Sequence, residues 1–108
     1  MQIELLYWEG CPSYPKALEQ LRAQIASLGI ERQEVVVREI TSEAQAETER
    51  FVGSPTIRVD GADVVDPGDQ PPALNCRVYR LHDGRYSPTP DPEDVRAALA
   101  AAQRREAS

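Results

Sequence analysis

The run Ile3–Trp8, which reads IELLYW, constrains the fold of this chain more than any other stretch. It is almost continuously apolar and rich in residues that favour strands, without the alternation that would leave one face to water. Such a strand is typical of a sheet with helices on both faces. Gly10 and Pro12 then interrupt the pattern, which predicts a turn before the next element.

Periodicity after this turn predicts alternating helices and strands. Apolar residues at helical spacing indicate the first helix, the sequence Ser42–Gln45 fits a capping box, and Asp60–Gly61 indicates a hairpin turn. The order βαβαββ predicts an α/β fold with a mixed four-stranded sheet. The predicted elements are a helix over Ser13–Leu28, a strand over Glu34–Ile40, a helix over Ser42–Arg50, and strands over Thr56–Val59 and Ala62–Val65.

The remainder of the chain combines a loop with one strong helix signal. Asp66–Asn75 is rich in Pro and Gly and predicts a loop, and Arg77–Leu81 fits a short fifth strand. Asp91–Pro92 supplies an N-cap residue and a proline for the first turn of a final helix. We therefore predict a single domain over residues 1–103 and a frayed tail over 104–108.

Composition and charge argue against several classes of function. The formal net charge is -6, and the only basic cluster is Arg104–Arg105, so no surface for nucleic acid is expected. No apolar run approaches the roughly 18 residues that cross a membrane, and the N-terminus lacks the pattern of a signal peptide. We expect a cytoplasmic protein with reduced thiols. The single histidine, His82, argues against structural zinc.

Cys11 lies where the first strand gives way to the first helix, within a Gly-Cys-Pro turn. The positive end of a helix dipole and its unpaired N–H groups favour a thiolate, which is the nucleophilic and metal-binding form of cysteine. A free cysteine is also often no more than a small buried apolar residue. Its position in this turn favours the functional interpretation of Cys11.

Pro55 opens the third predicted strand, where a proline removes a hydrogen-bond donor from the ladder. A cis Ser54–Pro55 bond would account for it, because cis peptide bonds are essentially restricted to proline. A trans proline at the start of an edge strand is the alternative, and trans bonds are the commoner form.

Together these features resemble the thioredoxin fold. The segments Tyr7–Pro12, Gly53–Gly61 and Cys76–Arg80 are similar to those of small bacterial thioredoxin-like proteins, a group often described as alkylmercury-lyase-like. The resemblance covers nearly the whole chain. It implies that Cys11 and a cis Ser54–Pro55 bond form one site, in which the Ser54 backbone pairs with a bound substrate.

The chain departs from thioredoxins proper at Tyr14. Those proteins carry Trp-Cys-x-x-Cys, and the second cysteine resolves the mixed disulfide, whereas this chain has tyrosine at that position. A local dithiol is therefore excluded. The expected substrate-binding residues are Pro12, Tyr14, Ser54 and Pro55.

Cys76 is the only other cysteine, and it follows the Asp66–Asn75 loop. If this loop folds over the proline edge of the sheet, Cys76 approaches Cys11, and the two thiols could form a reversible disulfide. They could alternatively hold a soft ion such as mercury(II) or copper(I). The remaining interpretation is a core cysteine that opens a short strand, with Arg77 and Arg80 solvated.

The sequence leaves three functions open. In the first, the Cys11 thiolate attacks a protein or small-molecule disulfide and Cys76 resolves the product, without a cofactor. In the second, the two cysteines bind a soft metal ion, as a carrier or as an organomercurial lyase with Glu9, Asp66 or Asp69 as proton donor. In the third, the domain is a redox-silent interaction module.

Overall fold

The computed structural model describes residues 1–107 of the chain, and these form an α/β structure of three helices and six strands. The element order begins βαβαββ, as the periodicity predicted. The elements are β1 (Ile3–Tyr7), α1 (Tyr14–Ser27), β2 (Val35–Glu39), α2 (Glu43–Glu49), β3 (Thr56–Val59), β4 (Ala62–Asp63), β5 (Tyr79–Arg80), β6 (Tyr86–Ser87) and α3 (Pro92–Ala107).

The main sheet has four strands in the order β2-β1-β3-β4. β1 pairs parallel with β2 and antiparallel with β3, so Leu5 stands between Val37 and Ile57. β3 then pairs antiparallel with β4. The sheet is therefore mixed, as predicted, and β1 is an inner strand with a neighbour on each side.

Helices cover both faces of this sheet. α1 and α3 pack on one face, where Leu21 and Leu99 join Ile3 and Leu5 in the larger apolar core. α2 lies on the other face, where Leu6 belongs to a smaller core with residues in and around α2. The apolar character of β1 on both of its faces follows from this arrangement.

The predicted fifth strand does not join the main sheet. β5 pairs antiparallel with β6 in a separate two-stranded sheet around the turn at Asp83–Gly84, and β6 is a strand that the pattern did not predict. Arg77 lies outside β5, because its backbone N–H donates to Ser54 O at 2.9 Å instead of extending the hairpin. This difference matters for the site, since it places Cys76 beside Ser54.

The C-terminal helix is longer than the sequence predicted. Residues 104–107 are helical and not frayed, while Ser108 lies outside the described residues. Arg104 and Arg105 stand in the last turn, where positive charge is favourable at the negative end of the helix dipole. Arg105 also pairs with Asp60 at 3.0 Å. Within residues 1–107, no helix has the length and apolar character that crossing a membrane requires.

Candidate functional site

Cys11 lies in the turn between β1 and α1 and is 1% exposed. Its backbone N–H donates to Trp8 O at 3.0 Å, and its thiol donates to Ser54 O at 3.4 Å. The helix begins at Tyr14 with Ser13 as its N-cap residue, so Cys11 precedes the helix instead of belonging to its first turn. The sulfur is thus held by the carbonyl of Ser54 in the interior.

The Ser54–Pro55 bond is cis, and both residues are buried. Ser54 N–H donates to Asn75 O at 2.8 Å, and Ser54 O accepts from the N–H of Arg77 as well as from Cys11. The chain itself therefore occupies both backbone groups of Ser54. The pairing of this backbone with a substrate stays a prediction, and it would require that Asn75 and Arg77 release these two groups.

Gly53 allows the segment Asn75–Arg77 to lie this close. Its φ is 150°, a backbone conformation that disfavours other residues. A Cβ atom at this position would lie 2.6 Å from the Asn75 side chain and 2.9 Å from Arg77 Cβ. The absence of a side chain at Gly53 therefore permits the close approach that carries Cys76 to the site.

Cys76 forms an isolated parallel bridge with Ser54 and is exposed to solvent. It is consequently neither a core cysteine nor part of a regular strand. The loop before Cys76 folds back onto the proline edge of the sheet, where Asn75 pairs with Ser54. From the sequence, Cys76 is expected to approach Cys11 if the loop takes this path.

The two thiols are neighbours, and both are free. The interaction with the Cys11 sulfur raises the pKa of the Cys76 thiol to about 11, with smaller contributions from desolvation and from the charge that Cys11 can carry. The neighbouring sulfur of Cys11 thus favours the protonated form of the Cys76 thiol. Such a pair can share one proton, form a disulfide or bind a two-coordinate soft ion.

Arg77 anchors the segment that carries Cys76, and the sequence did not predict its burial. The side chain is 3% exposed, and Arg77 Nη1 pairs with Asp63 Oδ2 at 2.7 Å. Nη1 also donates to Thr56 Oγ1 at 3.2 Å, and Nη2 donates to Val65 O at 2.8 Å. The guanidinium carbon lies 4.5 Å from the centre of the Tyr79 ring.

The signal that would have revealed this anchor is the alternation over Cys76–Tyr79. Arg77 and Tyr79 point inward, while Cys76 and Val78 point outward. Hydropathy alone assigns an arginine to the solvent face. The partly buried acceptor Asp63 lies in another strand, so the sequence pattern does not show that the guanidinium has a partner.

Pro12 and Tyr14, two of the expected substrate-binding residues, lie near Cys11 in the chain but, among the residues that the structure describes, do not hydrogen bond with the thiols. Pro12 is exposed, and the ring of Tyr14 stacks on that of Tyr7, with centroids 4.0 Å apart and planes 22° from parallel. Tyr14 is therefore engaged in packing at the end of β1. No hydrogen bond in residues 1–107 connects either residue with a thiol.

The three candidate proton donors do not reach the thiols. Glu9, Asp66 and Asp69 are all exposed. Asp66 Oδ1 accepts from the N–H of Gly68 at 2.8 Å and so stabilises its own loop. In the described part of the chain, none of these carboxylates hydrogen bonds with Cys11 or Cys76.

His82, in the turn after β5, belongs to a second cluster of ionisable groups, which it forms with carboxylates at the start of α3. Its Nδ1 lies 2.7 Å from a carboxylate oxygen of Glu93, and its Nε2 lies 2.9 Å from one of Asp94. The carboxylates of Asp94 and Glu93 raise the pKa of His82. The Asp91 carboxylate caps the helix by accepting from the backbone N–H groups of His82 and Glu93.

The fold and the site define an α/β protein with two neighbouring free thiols, one buried and one exposed. Comparison of the chain with protein-family models, with curated proteins and with solved structures found no match.

Proposed function

We propose that this chain is a thioredoxin-like thiol protein in which Cys76 and Cys11 act as a pair on disulfides. The observation that carries the proposal is that Ser54 brings the two thiols together: its carbonyl accepts from the Cys11 thiol at 3.4 Å, and its backbone bridges with Cys76. The raised pKa of Cys76, caused mainly by Cys11, agrees with this arrangement. The β2-β1-β3-β4 sheet, with helices on both faces and Cys11 held against Ser54, supports the thioredoxin-like assignment.

The roles of the two cysteines are the reverse of those that the sequence suggested. An incoming disulfide meets an exposed sulfur first, and Cys76 is exposed whereas Cys11 is 1% exposed. Cys76 therefore forms the mixed disulfide, and Cys11 resolves it from the interior. The resolving position suits a buried thiol, because a sulfur that water and other thiols do not reach attacks only its neighbour.

The reaction transfers two electrons and needs no cofactor. The Cys76 thiolate attacks one sulfur of a substrate disulfide, forms a mixed disulfide and releases the other sulfur as a thiolate, which takes up a proton. The Cys11 thiolate then attacks the Cys76 sulfur and releases the second substrate thiolate. The products are two substrate thiols and the Cys11–Cys76 disulfide, which an external dithiol reductant returns to the reduced state.

The raised pKa of Cys76 governs the rate. With a pKa of about 11, roughly one Cys76 thiol in ten thousand is ionised at pH 7. A thiolate of high pKa is intrinsically more nucleophilic, which offsets part of this loss. We therefore expect a slow reaction at neutral pH whose rate increases with pH. The proposal places the protein in the reducing cytoplasm, where the pair is available as thiols.

Trapping of the mixed disulfide tests the assignment of roles. The Cys11→Ser variant, treated with a chromogenic aromatic disulfide, is expected to release one equivalent of thiol and to retain the other on Cys76. The Cys76→Ser variant is expected to react at least about tenfold more slowly than wild type, because its one remaining thiol, Cys11, is buried. A label found on Cys11 in the wild-type protein, or equal rates for the two variants, would contradict the proposal.

Transfer of a soft metal ion is the second candidate, and it is favoured by the same adjacency of two sulfurs. Mercury(II) or copper(I) would be cargo held between the Cys11 and Cys76 thiolates. Titration with mercury(II) against a competing monothiol tests ion capture, which should require both thiols and be lost in each serine variant. A carrier would show this capture without the reaction with the aromatic disulfide, whereas the redox proposal requires that reaction. Lyase activity receives no support, since no carboxylate hydrogen bonds with either thiol within residues 1–107.

The redox-silent interaction module is the outcome in which neither chemistry occurs. It requires that both thiols label slowly in the native protein and that neither serine variant changes oxidation or metal binding. The exposure of Cys76 argues for the reactive alternatives.

A further inference from the structure

An apolar hollow of 270 Å³ lies directly beside the exposed thiol. Its lining consists of Cys76, Arg77, Val78, Tyr86, Ser87 and Pro88, and it is almost entirely apolar. Val78 and Tyr86 are 65% and 72% exposed. Large apolar side chains that are exposed side by side often mark a binding surface. Any group that enters this hollow is placed against the Cys76 side of the thiol pair.

The polar side chains of Arg77 and Ser87 in the lining already have hydrogen-bond partners within the chain. The guanidinium of Arg77, the only charged group in the lining, is directed to Asp63, Thr56 Oγ1 and Val65 O. The Ser87 hydroxyl accepts from the N–H of Thr89 at 3.1 Å. The hollow therefore offers no cation to a carboxylate. The net charge of -6 further disfavours anionic small disulfides such as oxidised glutathione.

The backbone of Cys76 is available for pairing. Ser54 donates its N–H to Asn75 O and accepts from the N–H of Arg77. Cys76 stands between these two residues, so its own N–H and C=O point to the opposite side. Within residues 1–107, no hydrogen bond uses these two groups. A free backbone N–H and C=O beside an apolar hollow resemble the sites at which proteins bind extended peptides, where backbone pairing gives affinity and side-chain pockets give specificity.

We infer that the substrate of the thiol pair is an extended polypeptide segment in which a disulfide-bonded cysteine stands next to an apolar residue, whose side chain enters the hollow formed by Val78, Tyr86 and Pro88. This inference rests on the proposed disulfide chemistry and names its substrate class. The volume of 270 Å³ is below the range of pockets that hold whole drug-sized ligands, and it suits one side chain.

Three matched probes test this inference. Two peptides differ only in leucine or serine beside the cysteine, the third probe is glutathione, and each is joined by a disulfide to thionitrobenzoate, whose release is followed by absorbance. The wild-type protein is expected to react about tenfold faster with the leucine probe than with the other two. One additional apolar group that binds in an apolar pocket can increase a reaction rate by about this factor.

The ratio of the leucine rate to the serine rate isolates the hollow from general effects on folding. Val78→Ser and Tyr86→Ser are each expected to bring this ratio close to one. Val36→Ser is the matched control, because Val36 is an exposed valine on β2, and it is expected to keep the wild-type ratio.

Failure of the inference and failure of the proposed function give different results. Equal wild-type rates with all three probes, or a ratio that survives both variants of the hollow, would overturn the inference while leaving the disulfide chemistry intact. Rates that do not exceed those of Cys76→Ser with any probe would overturn the proposed function and, with it, the inference.

Discussion

Cys11 and Cys76 are neighbours in space, yet two different kinds of structure position them. Cys11 lies between β1 and α1, two regular elements whose pairing and packing hold the turn in place. Cys76 belongs to an irregular segment without a strand of its own, held by the backbone of Ser54 and by the buried side chain of Arg77. The first position follows from local pattern, and the second depends on contacts between distant parts of the chain.

Because of this difference, we expect the position of Cys11 to be more stable than that of Cys76. A region held by a few polar contacts can be loosened by single substitutions, whereas a turn between packed elements resists them. The exposed member of the pair is thus the one whose position is more easily altered. Substitutions in the segment around Cys76 should therefore affect the thiol chemistry, while the sheet and helices remain formed.

Removal of the Arg77 guanidinium is expected to have the largest effect. Arg77→Met should lower the free energy of unfolding by about 3 kcal/mol, because it leaves the partly buried Asp63 carboxylate without its partner and removes the donors to Thr56 Oγ1 and Val65 O. Urea denaturation measures the change. Arg80→Met is the matched control, since Arg80 is exposed in the adjacent strand, and it should change stability by no more than about 0.5 kcal/mol. Equal effects of the two substitutions would show that Arg77 is not an anchor.

Removal of the Cys11 sulfur is expected to make Cys76 more reactive. Because Cys11 is the main cause of the raised pKa of Cys76, Cys11→Ser should return that pKa towards its usual value. The larger thiolate fraction, offset in part by lower nucleophilicity, predicts up to about a tenfold increase in alkylation rate at about pH 8. Alkylation by iodoacetamide followed by mass spectrometry measures it. A rate equal to or below that of wild type would contradict an interacting pair.

The cluster around His82 should show the smallest effect, and only as a dependence on pH. The carboxylates of Asp94 and Glu93 raise the pKa of His82 in the folded chain, so their stabilising contribution is fully present below the unfolded pKa of about 6.5. It is lost as the pH rises through the folded pKa. The difference in urea midpoint between wild type and His82→Gln should therefore be larger at about pH 5.5 than at about pH 9. A difference that is independent of pH would contradict this ion pairing.

The regular elements could be predicted from sequence because each depends on its own periodicity. β3 has the predicted bounds, α1 and β2 are each slightly shorter than predicted, and Ser42 caps α2 as its sequence indicated, accepting from the N–H of Gln45 at 3.0 Å. β5 lies within the predicted Arg77–Leu81 but is shorter, because Arg77 pairs with Ser54 in a long-range contact that no local pattern encodes.

The candidate site was predictable in its members but not in its geometry. The residue types pointed to Cys11 and Cys76, whereas their exposures depend on the path of the loop between Asp66 and Asn75. The occupation of Ser54 by the chain itself, and the burial of Arg77, follow from the same path. A sequence pattern indicates which face of an element is apolar, and it does not indicate which loop covers that face.

Disulfide mapping after mild oxidation tests the central claim, that Cys11 and Cys76 work as a pair, most directly. The reduced full-length protein is equilibrated with a thiol–disulfide buffer, quenched with acid, digested and analysed by mass spectrometry without reduction. We expect one dominant cross-linked species, with Cys11 joined to Cys76 in a monomer. Cys76 linked mainly to the buffer thiol or to a second chain, with Cys11 still reduced, would contradict it.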